Sequence, residues 1–561
     1  MKDTFQIIFG LLGGLAVFIF GMNMMSECLQ KAAGEKMKAI LALLTKNPVL
    51  GVLAGALTTA VLQSSSATTV MAIGFVSAGL MSLPQAISII LGANIGTTMT
   101  AQIIAFKITD YIYVFIFVGF LVAFVTRSQK WKNIGETIFA FGLLFLGIET
   151  MGSVMKPLAS SPFFTDLIGK VADIPILGVA VGTLMTLVVQ SSSATIAVLQ
   201  NFAAQAGPDG VTSIIGLTGA IPILLGDNIG TTITALLASV GQNKDAKRTA
   251  VAHSVFNISG AFLFIWLIKP YAKLIEFISP KGPEVEVISR QIANAHTIFN
   301  ITMTVIWIPL IWLMVKIVMK IIPDGVGRGA VNPMQPKYLD NKLIGQPVAA
   351  LSLVAKEIIH CSHMVEDMLR NVKETSVKDD GNMLAVVQEK AEIVHHLYQQ
   401  INEYFAAMFS EGAMVEEQAM QATSMMNVLC DIDRIAMLCR DISENLENQK
   451  NQKDKFSKEA LKDLRKSVGV ILDMYTEAMQ SIVNGDELQM KNIQKRKNDV
   501  LQLDEKMRQA HVERVGKKKC SAKLTVGYNN ILHTIDRMGN TCVNLVDAAM
   551  SHVDFQVFLE N

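Results

Sequence analysis

The run Gln63-Ser64-Ser65-Ser66-Ala67-Thr68 recurs as Gln190-Ser191-Ser192-Ser193-Ala194-Thr195. Each copy is followed by a second matched segment, Leu91-Gly92-Ala93-Asn94-Ile95-Gly96-Thr97-Thr98 and Leu225-Gly226-Asp227-Asn228-Ile229-Gly230-Thr231-Thr232. A duplication with hydroxyls and amides at its centre, set in apolar sequence, is the pattern of a transporter core made of two repeats. The surroundings are apolar indeed: 51% of the 561 residues are hydrophobic and 17% charged, with a mean hydropathy of +0.39. That excludes an ordinary soluble protein, and a net charge of +1 provides no basic field for nucleic acid.

Apolar runs stop near Ile322, and Pro323, Gly325, Gly327, Gly329, Pro333, Pro336 and Pro347 mark a linker. We therefore expect a membrane domain at 1–320, a linker at 321–346 and a polar helical domain at 347–561. The cysteines at 28, 361, 430, 439, 520 and 542 stand singly without metal-ligand spacing, as in a reduced cytosolic domain. The apolar run after Lys2 has no small-residue cleavage site before Glu27 and reads as a retained first helix rather than a removed signal peptide.

Crossings are expected near 5–25, 84–106, 111–126, 134–155, 213–240, 251–268 and 291–319, since a hydrocarbon core of about 30 Å takes about 20 helical residues. The arms around each Gln-Ser-Ser-Ser, 48–62 with 67–82 and 175–189 with 194–206, are short for a span and read as re-entrant hairpins with the polar residues at the tip. The alternative at either copy is a helix that uses small hydroxylated residues to pack closely; the duplication favours a site. In the matched second segments, Gly on both sides of Asn followed by Thr-Thr reads as a helix break with a new N-terminus, a place for an anion. Three crossings in the first repeat (about 5–126) start the second (about 134–268) from the opposite side, so the repeats are inverted, with 291–319 an extra helix. Lys31, Lys36, Lys38, Lys46, Arg127, Lys130, Lys132, Lys244, Lys247 and Arg248 then share the face of the C-terminal domain, against Lys107, Lys156, Lys170, Lys269, Lys273, Lys281 and Arg290 opposite, a modest positive-inside bias.

No intramembrane segment carries Arg in this reading, so an anion would be held by amides, hydroxyls and a co-bound cation. Ser64, Ser65, Ser66, Ser191, Ser192 and Ser193 offer donors; Gln63, Gln190, Asn94 and Asn228 offer oxygens to a hard monovalent cation. Asp227, opposite Ala93, breaks the repeat symmetry and is expected as a cation ligand or protonatable group, with a helix cap as the plain alternative. Glu149, opposite Asn23, is a weaker candidate of that kind. A further echo, Ala252-His253-Ser254-Val255-Phe256-Asn257-Ile258 with Ala295-His296-Thr297-Ile298-Phe299-Asn300-Ile301, puts His and Asn on one helical face; a polar clasp between helices is favoured over a substrate or proton role.

Over about residues 1–320 the sequence resembles the type II sodium–phosphate cotransporter family, whose repeats carry QSSS-type motifs followed by a GxNxGT segment. The resemblance implies sodium-coupled movement of inorganic phosphate across the plasma membrane, with the QSSS tips meeting near the midplane. It carries over to Gln63 to Ser66, Gln190 to Ser193, Asn94, Thr97, Thr98, Asn228, Thr231 and Thr232. In the C-terminal half, apolar residues recur at helical spacing in segments near 347–374, 382–411, 413–446, 456–485, 487–516 and 519–555, which reads as two three-helix units. There Asp433-Arg434-Ile435-Ala436-Met437 matches Asp536-Arg537-Met538-Gly539-Asn540, and both resemble the motif of PhoU-like domains. The family's second acidic position is Met437 or Asn540 here, so Asp433 and Asp536 are weak metal positions, and His363, His395 and His396 read as core or solvated residues.

The expected chain is thus all-α: a polytopic membrane protein with inverted repeats, re-entrant hairpins and broken helices, plus a soluble bundle. We expect a symporter and no enzyme, with sodium as coupling ion and no other cofactor, the bundle being cytosolic and regulatory. Inorganic phosphate, sodium and the lipid bilayer are the expected partners, with a homo-oligomer or a phosphate-signalling protein at the C-terminal domain. A phosphate exporter, a membrane-tethered phosphate sensor and an ion channel are the alternatives.

Overall fold

A computed structural model describes residues 2–42, 47–106, 108–159, 174–207, 209–323, 333–375, 381–450, 456–484 and 488–550. Lys46, Lys107 and Lys170, linker residues 324–332 and the C-terminal 551–561 lie outside the described residues. No β-strand occurs among those described. The chain divides into two compact units, Met1–Val326 and Gly327–Glu560.

The first unit contains α1 (Lys2–Ala42), α2 (Pro48–Leu62), α3 (Ser65–Ser77), α4 (Leu83–Ile104), α5 (Ile112–Val125) and α6 (Gln129–Ala159). It continues with α7 (Pro175–Val189), α8 (Ser192–Ala203), α9 (Gly216–Ser239), α10 (Lys244–Phe264), α11 (Ile268–Ile278), α12 (Glu284–Trp307) and α13 (Ile311–Ile321). Long enough and apolar enough to cross a membrane are Gln6–Leu29, Leu83–Ile104, Trp131–Met155, Gly216–Ser239 and Glu284–Ile321, while α10 and α11 qualify together but bend by 93°. Large apolar side chains stay exposed on this unit, Phe124 at 79% and Phe262 at 70%, as a lipid-facing surface requires. The expected span at 111–126 is only the 14-residue α5.

Glycine contacts establish how the repeats are related. A Cβ on Gly21 of α1 would lie 2.9 Å from the Ala140 carbonyl oxygen of α6, and one on Gly147 of α6 would lie 2.6 Å from that of Gly14 on α1. Gly21 corresponds to Gly147 in the repeats, and Gly14 to Ala140, so the two contacts are one contact with the repeats exchanged, the mark of a two-fold axis. Positions rising along α1 meet positions falling along α6, so the equivalent helices run antiparallel. Repeats related in that way are inverted.

The expected break at Leu91–Thr98 and Leu225–Thr232 is not there: both segments lie inside continuous helices, α4 and α9. Their glycines serve close approach instead. Gly92 and Gly96 of α4 face Val52 and Ala56 of α2, and Gly226 and Gly230 of α9 face Val179 and Thr183 of α7. Gly92-Ala-Asn-Ile-Gly96 and Gly226-Asp-Asn-Ile-Gly230 are GxxxG stretches that cross Gly51-Val-Leu-Ala-Gly55 and Gly178-Val-Ala-Val-Gly182, and small residues four apart let membrane helices touch backbone to backbone. The breaks are one helix earlier, at Gln63-Ser64 between α2 and α3 and at Gln190-Ser191 between α7 and α8.

The second unit is a bundle of α14 (Pro347–Thr375), α15 (Gly381–Glu411), α16 (Glu416–Lys450), α17 (Lys458–Asn484), α18 (Leu488–Gly516) and α19 (Thr525–Met550). Two three-helix units join along α16–α19 and α14–α17. Leu429, Ile432, Ile435 and Cys439 of α16 are matched by Leu532, Ile535, Met538 and Cys542 of α19, all buried in one core. α14 also has the length and hydropathy of a span, but Leu351, Val354, Ile358 and Leu369 are buried in that core. All six cysteines are free thiols.

Candidate functional site

Each break is made by a glutamine in the left-handed region, Gln63 at φ 50° and Gln190 at φ 55°. A residue with a Cβ pays for that conformation, and such strain concentrates at working sites. The next residue is an N-cap: the Ser64 hydroxyl accepts from the Ala67 amide at 3.2 Å, and that of Ser191 from the Ala194 amide at 3.3 Å. The first-turn N–H groups of Ser65 and Ser66, and of Ser192 and Ser193, have no intrahelical acceptor. With the positive dipole end and the seryl hydroxyls, these are two N-termini of the kind that suits an anion. This is the arrangement that the sequence suggested for the following segment.

The helices after the breaks, α3 and α8, are each tied to the opposite repeat. Thr234 of α9 donates its hydroxyl to Ser66 at 3.1 Å, and Gln200 of α8 donates to the Ala101 carbonyl of α4 at 3.1 Å. Their settings differ. The Gln63 side chain accepts from the Thr100 hydroxyl at 3.0 Å and Ser65 is buried, whereas Gln190 is exposed.

The helical motif residues lock helices together. Asn94 donates to the Ile90 carbonyl, and its Oδ1 lies 3.3 Å from His253 Nε2 and 3.5 Å from Asn257 Nδ2 on α10. Asn228 does the same with Leu224, its Oδ1 lying 3.2 Å from His296 Nε2 on α12. The two His–Asn echoes are therefore clasps on the two motif asparagines. Thr97, Thr98, Thr231 and Thr232 bond back to the carbonyls of Ala93, Ile95, Asp227 and Ile229 at 2.8–2.9 Å rather than capping a new helix. Glu149 and Asn23 are exposed and do not join the site.

Two residues missed in the sequence, Thr59 and Thr186, sit four positions before each glutamine. Thr59 donates to Thr68 at 2.9 Å, and Thr186 lies 3.2 Å from the equivalent Thr195. Thr186 also donates to Asp227 Oδ1 at 2.6 Å, where repeat 1 has only Ala93. Asp227 is fully buried, and its Oδ2 has no hydrogen-bond partner among the described residues.

In the bundle, Asp433 Oδ1 and Oδ2 both lie 3.2 Å from His395 Nδ1; burial raises the carboxyl's pKa and the histidine opposes the rise. Asp431 is pushed up to about 6 by burial, with Arg434 opposing. Asp433 and Asp536 acquire no cluster: no group of three or more His, Cys, Asp or Glu that could hold a metal occurs among the described residues.

Inverted repeats, paired helix breaks and a lipid-facing surface define a membrane transporter. The chain belongs to the Na+/Pi-cotransporter family, whose model matches twice, at residues 17–153 and 152–279; a PhoU domain model matches residues 358–446. YqeW of Bacillus subtilis (strain 168), whose name carries no function, is 36% identical over 263 residues, 47% of this chain and 83% of its own. YjbB of Salmonella typhimurium, named for inorganic phosphate export, is 23% identical over 510 residues, 90% of both chains. A rat protein named sodium-dependent phosphate transport protein 2A is 40% identical over 101 residues, 17% of this chain and 15% of its own. No solved structure matches the chain significantly.

Proposed function

We propose that this protein moves inorganic phosphate across the plasma membrane by sodium-coupled symport, with its PhoU-like bundle in the cytosol as regulator. The observation that carries the reading is the pair of N-termini at Ser64–Ser66 and Ser191–Ser193, whose first-turn amides lack a helical acceptor and, with the seryl hydroxyls, suit a small tetrahedral oxyanion. Gln63 and Gln190 belong to the same site, since their strained backbones open it. Family membership supports phosphate as the anion, and the sodium in the rat relative's name supports the coupling ion. Among the described residues no Arg or Lys side chain is hydrogen-bonded to Ser64–Ser66 or Ser191–Ser193, so a cation entering with phosphate offsets part of its charge. Coupling follows from that need.

Export is the second reading, favoured by likeness to YjbB along nearly the whole chain, bundle included. Radiolabelled phosphate flux in proteoliposomes, with a sodium gradient imposed in either direction, tests both. Flux that follows the sodium gradient in each orientation is the symport result; phosphate efflux indifferent to sodium would replace symport with uncoupled export.

A further inference from the structure

The two repeats place the same hydroxyl pair behind each broken helix, Thr59 with Thr68 and Thr186 with Thr195. Only the second pair has a carboxylate. Asp227 reaches Thr186 with Oδ1, and Oδ2 is buried without a partner among the described residues. Thr186 lies 3.1 Å from the Gly182 carbonyl, and Thr195 lies 3.2 Å from the carbonyl of Ser191, the N-cap of the anion-binding helix. All these groups are oxygens, and among the described residues no nitrogen donates to the carboxylate.

A buried carboxylate must be neutralised, by a proton or by a cation. Either would satisfy Oδ2, which takes no hydrogen bond among the described residues, but the oxygen-only company of Thr186, Thr195 and the carboxylate suits the cation. A cation bonds the lone pairs directly. We propose that Asp227, Thr186 and Thr195 form a binding site for one monovalent cation, sodium, present in the second repeat alone. Thr195 lies one turn beyond the N-cap Ser191, so the cation strengthens the anion-binding end of α8 and leaves α3 without an equivalent. As a coupling site it rests on the phosphate reading above, but its occupancy does not.

The test is thermal unfolding of the purified full chain, titrated with sodium chloride against N-methylglucamine chloride at constant ionic strength without phosphate. A parallel phosphate titration reports separately on the anion site, so failure there leaves the sodium result readable. Wild type should be stabilised by sodium in a saturable way. Asp227→Asn should lose that stabilisation and melt higher than wild type without sodium, because an unpaired buried charge is gone. Thr186→Val, which keeps the carboxylate, should weaken apparent sodium affinity about tenfold or more, the loss typical of one bond to a charged group. Sodium curves for both variants superimposable on wild type would overturn the site, and so would wild-type stabilisation that follows pH and ignores sodium. Should Asp227→Asn not fold, Thr186→Val and Thr195→Val decide the matter by the same curves.

Discussion

Replacing Gly96 or Gly230 by alanine separates the two accounts of the GxNIGTT segments. A Cβ at Gly96 would lie 2.6 Å from both the Ala56 carbonyl oxygen and Thr59 Cβ; at Gly230 it would lie 2.7 Å from the Thr183 carbonyl oxygen and Thr186 Cβ. Ordinary contact begins near 3.4 Å, so α2 must move from α4 by about 0.8 Å (3.4 − 2.6), and α7 from α9 by about 0.7 Å (3.4 − 2.7). Overpacking of this kind costs about 1–3 kcal/mol. Alanine also gains about 1 kcal/mol over glycine inside any helix. Gly13→Ala calibrates that gain in the same unit, because nothing lies within 4 Å of its Cβ position. Relative to Gly13→Ala, each motif variant should therefore lose about 1–3 kcal/mol, and phosphate affinity should fall as Thr59 and Thr186 are displaced. Denaturant or thermal unfolding of the purified full chain, with phosphate binding measured alongside, checks both. Motif variants as stable as Gly13→Ala would refute the helix-crossing account.

Ser65→Ala and Ser192→Ala should each weaken phosphate binding roughly tenfold to a hundredfold without altering insertion, the worth of one charge-assisted hydrogen bond, as read by phosphate binding and flux. Truncation after Asp340 should leave coupled flux present but change its level or its response to phosphate; a correctly inserted truncation with no flux at any sodium concentration would make the bundle part of the transport machinery. Asp431 has a folded pKa of about 6, above its unfolded value, so its protonated form favours the fold; stability should fall as pH rises from about 4 through 6, by about 3 kcal/mol at most. Asp431→Asn should flatten that dependence, measured by amide exchange in α16 of the full chain.

Helix content, the paired breaks and the six-helix bundle were legible because their signals are local. Pro48 and Pro175 open α2 and α7, the duplicated glutamines close them, and apolar residues at helical spacing write out the bundle. The continuous course of the two GxNIGTT segments was not. Glycine beside asparagine suits a turn as well as a helix crossing, and only the facing Gly51–Gly55 and Gly178–Gly182 stretches favour the second. That signal was present in the sequence, four residues apart in all four helices. Thr59, Thr186, Thr100 and Thr234 carried no mark of their own, since a lone hydroxyl in an apolar run bonds back to its own helix as readily as across to another. Their roles depend on which helices cross, and that is a property of the tertiary fold.

The asymmetry between the tips carries its own expectation. Gln63 is bonded to Thr100 of its own repeat, and Ser66 to Thr234 of the other. By the repeat correspondence, Gln190 matches Gln63, Ser193 matches Ser66 and Thr234 matches Thr100, yet no Gln190–Thr234 or Ser193–Thr100 bond is found among the described residues, and Gln190 is exposed. In an inverted-repeat transporter the opposite-facing state arises when the halves exchange conformations. Exchange here means that Thr234 leaves Ser66 for Gln190 while Thr100 leaves Gln63 for Ser193. Thr234 cannot serve both, so closing the second tip opens the first. In a background with the native cysteines replaced, the pairs Gln63→Cys with Thr100→Cys and Gln190→Cys with Thr234→Cys should both cross-link with a short bifunctional reagent, one yield rising as the other falls when sodium and phosphate are varied. Cross-linking confined to the Gln63–Thr100 pair under every combination of sodium and phosphate would mean that the two tips have fixed, unequal roles.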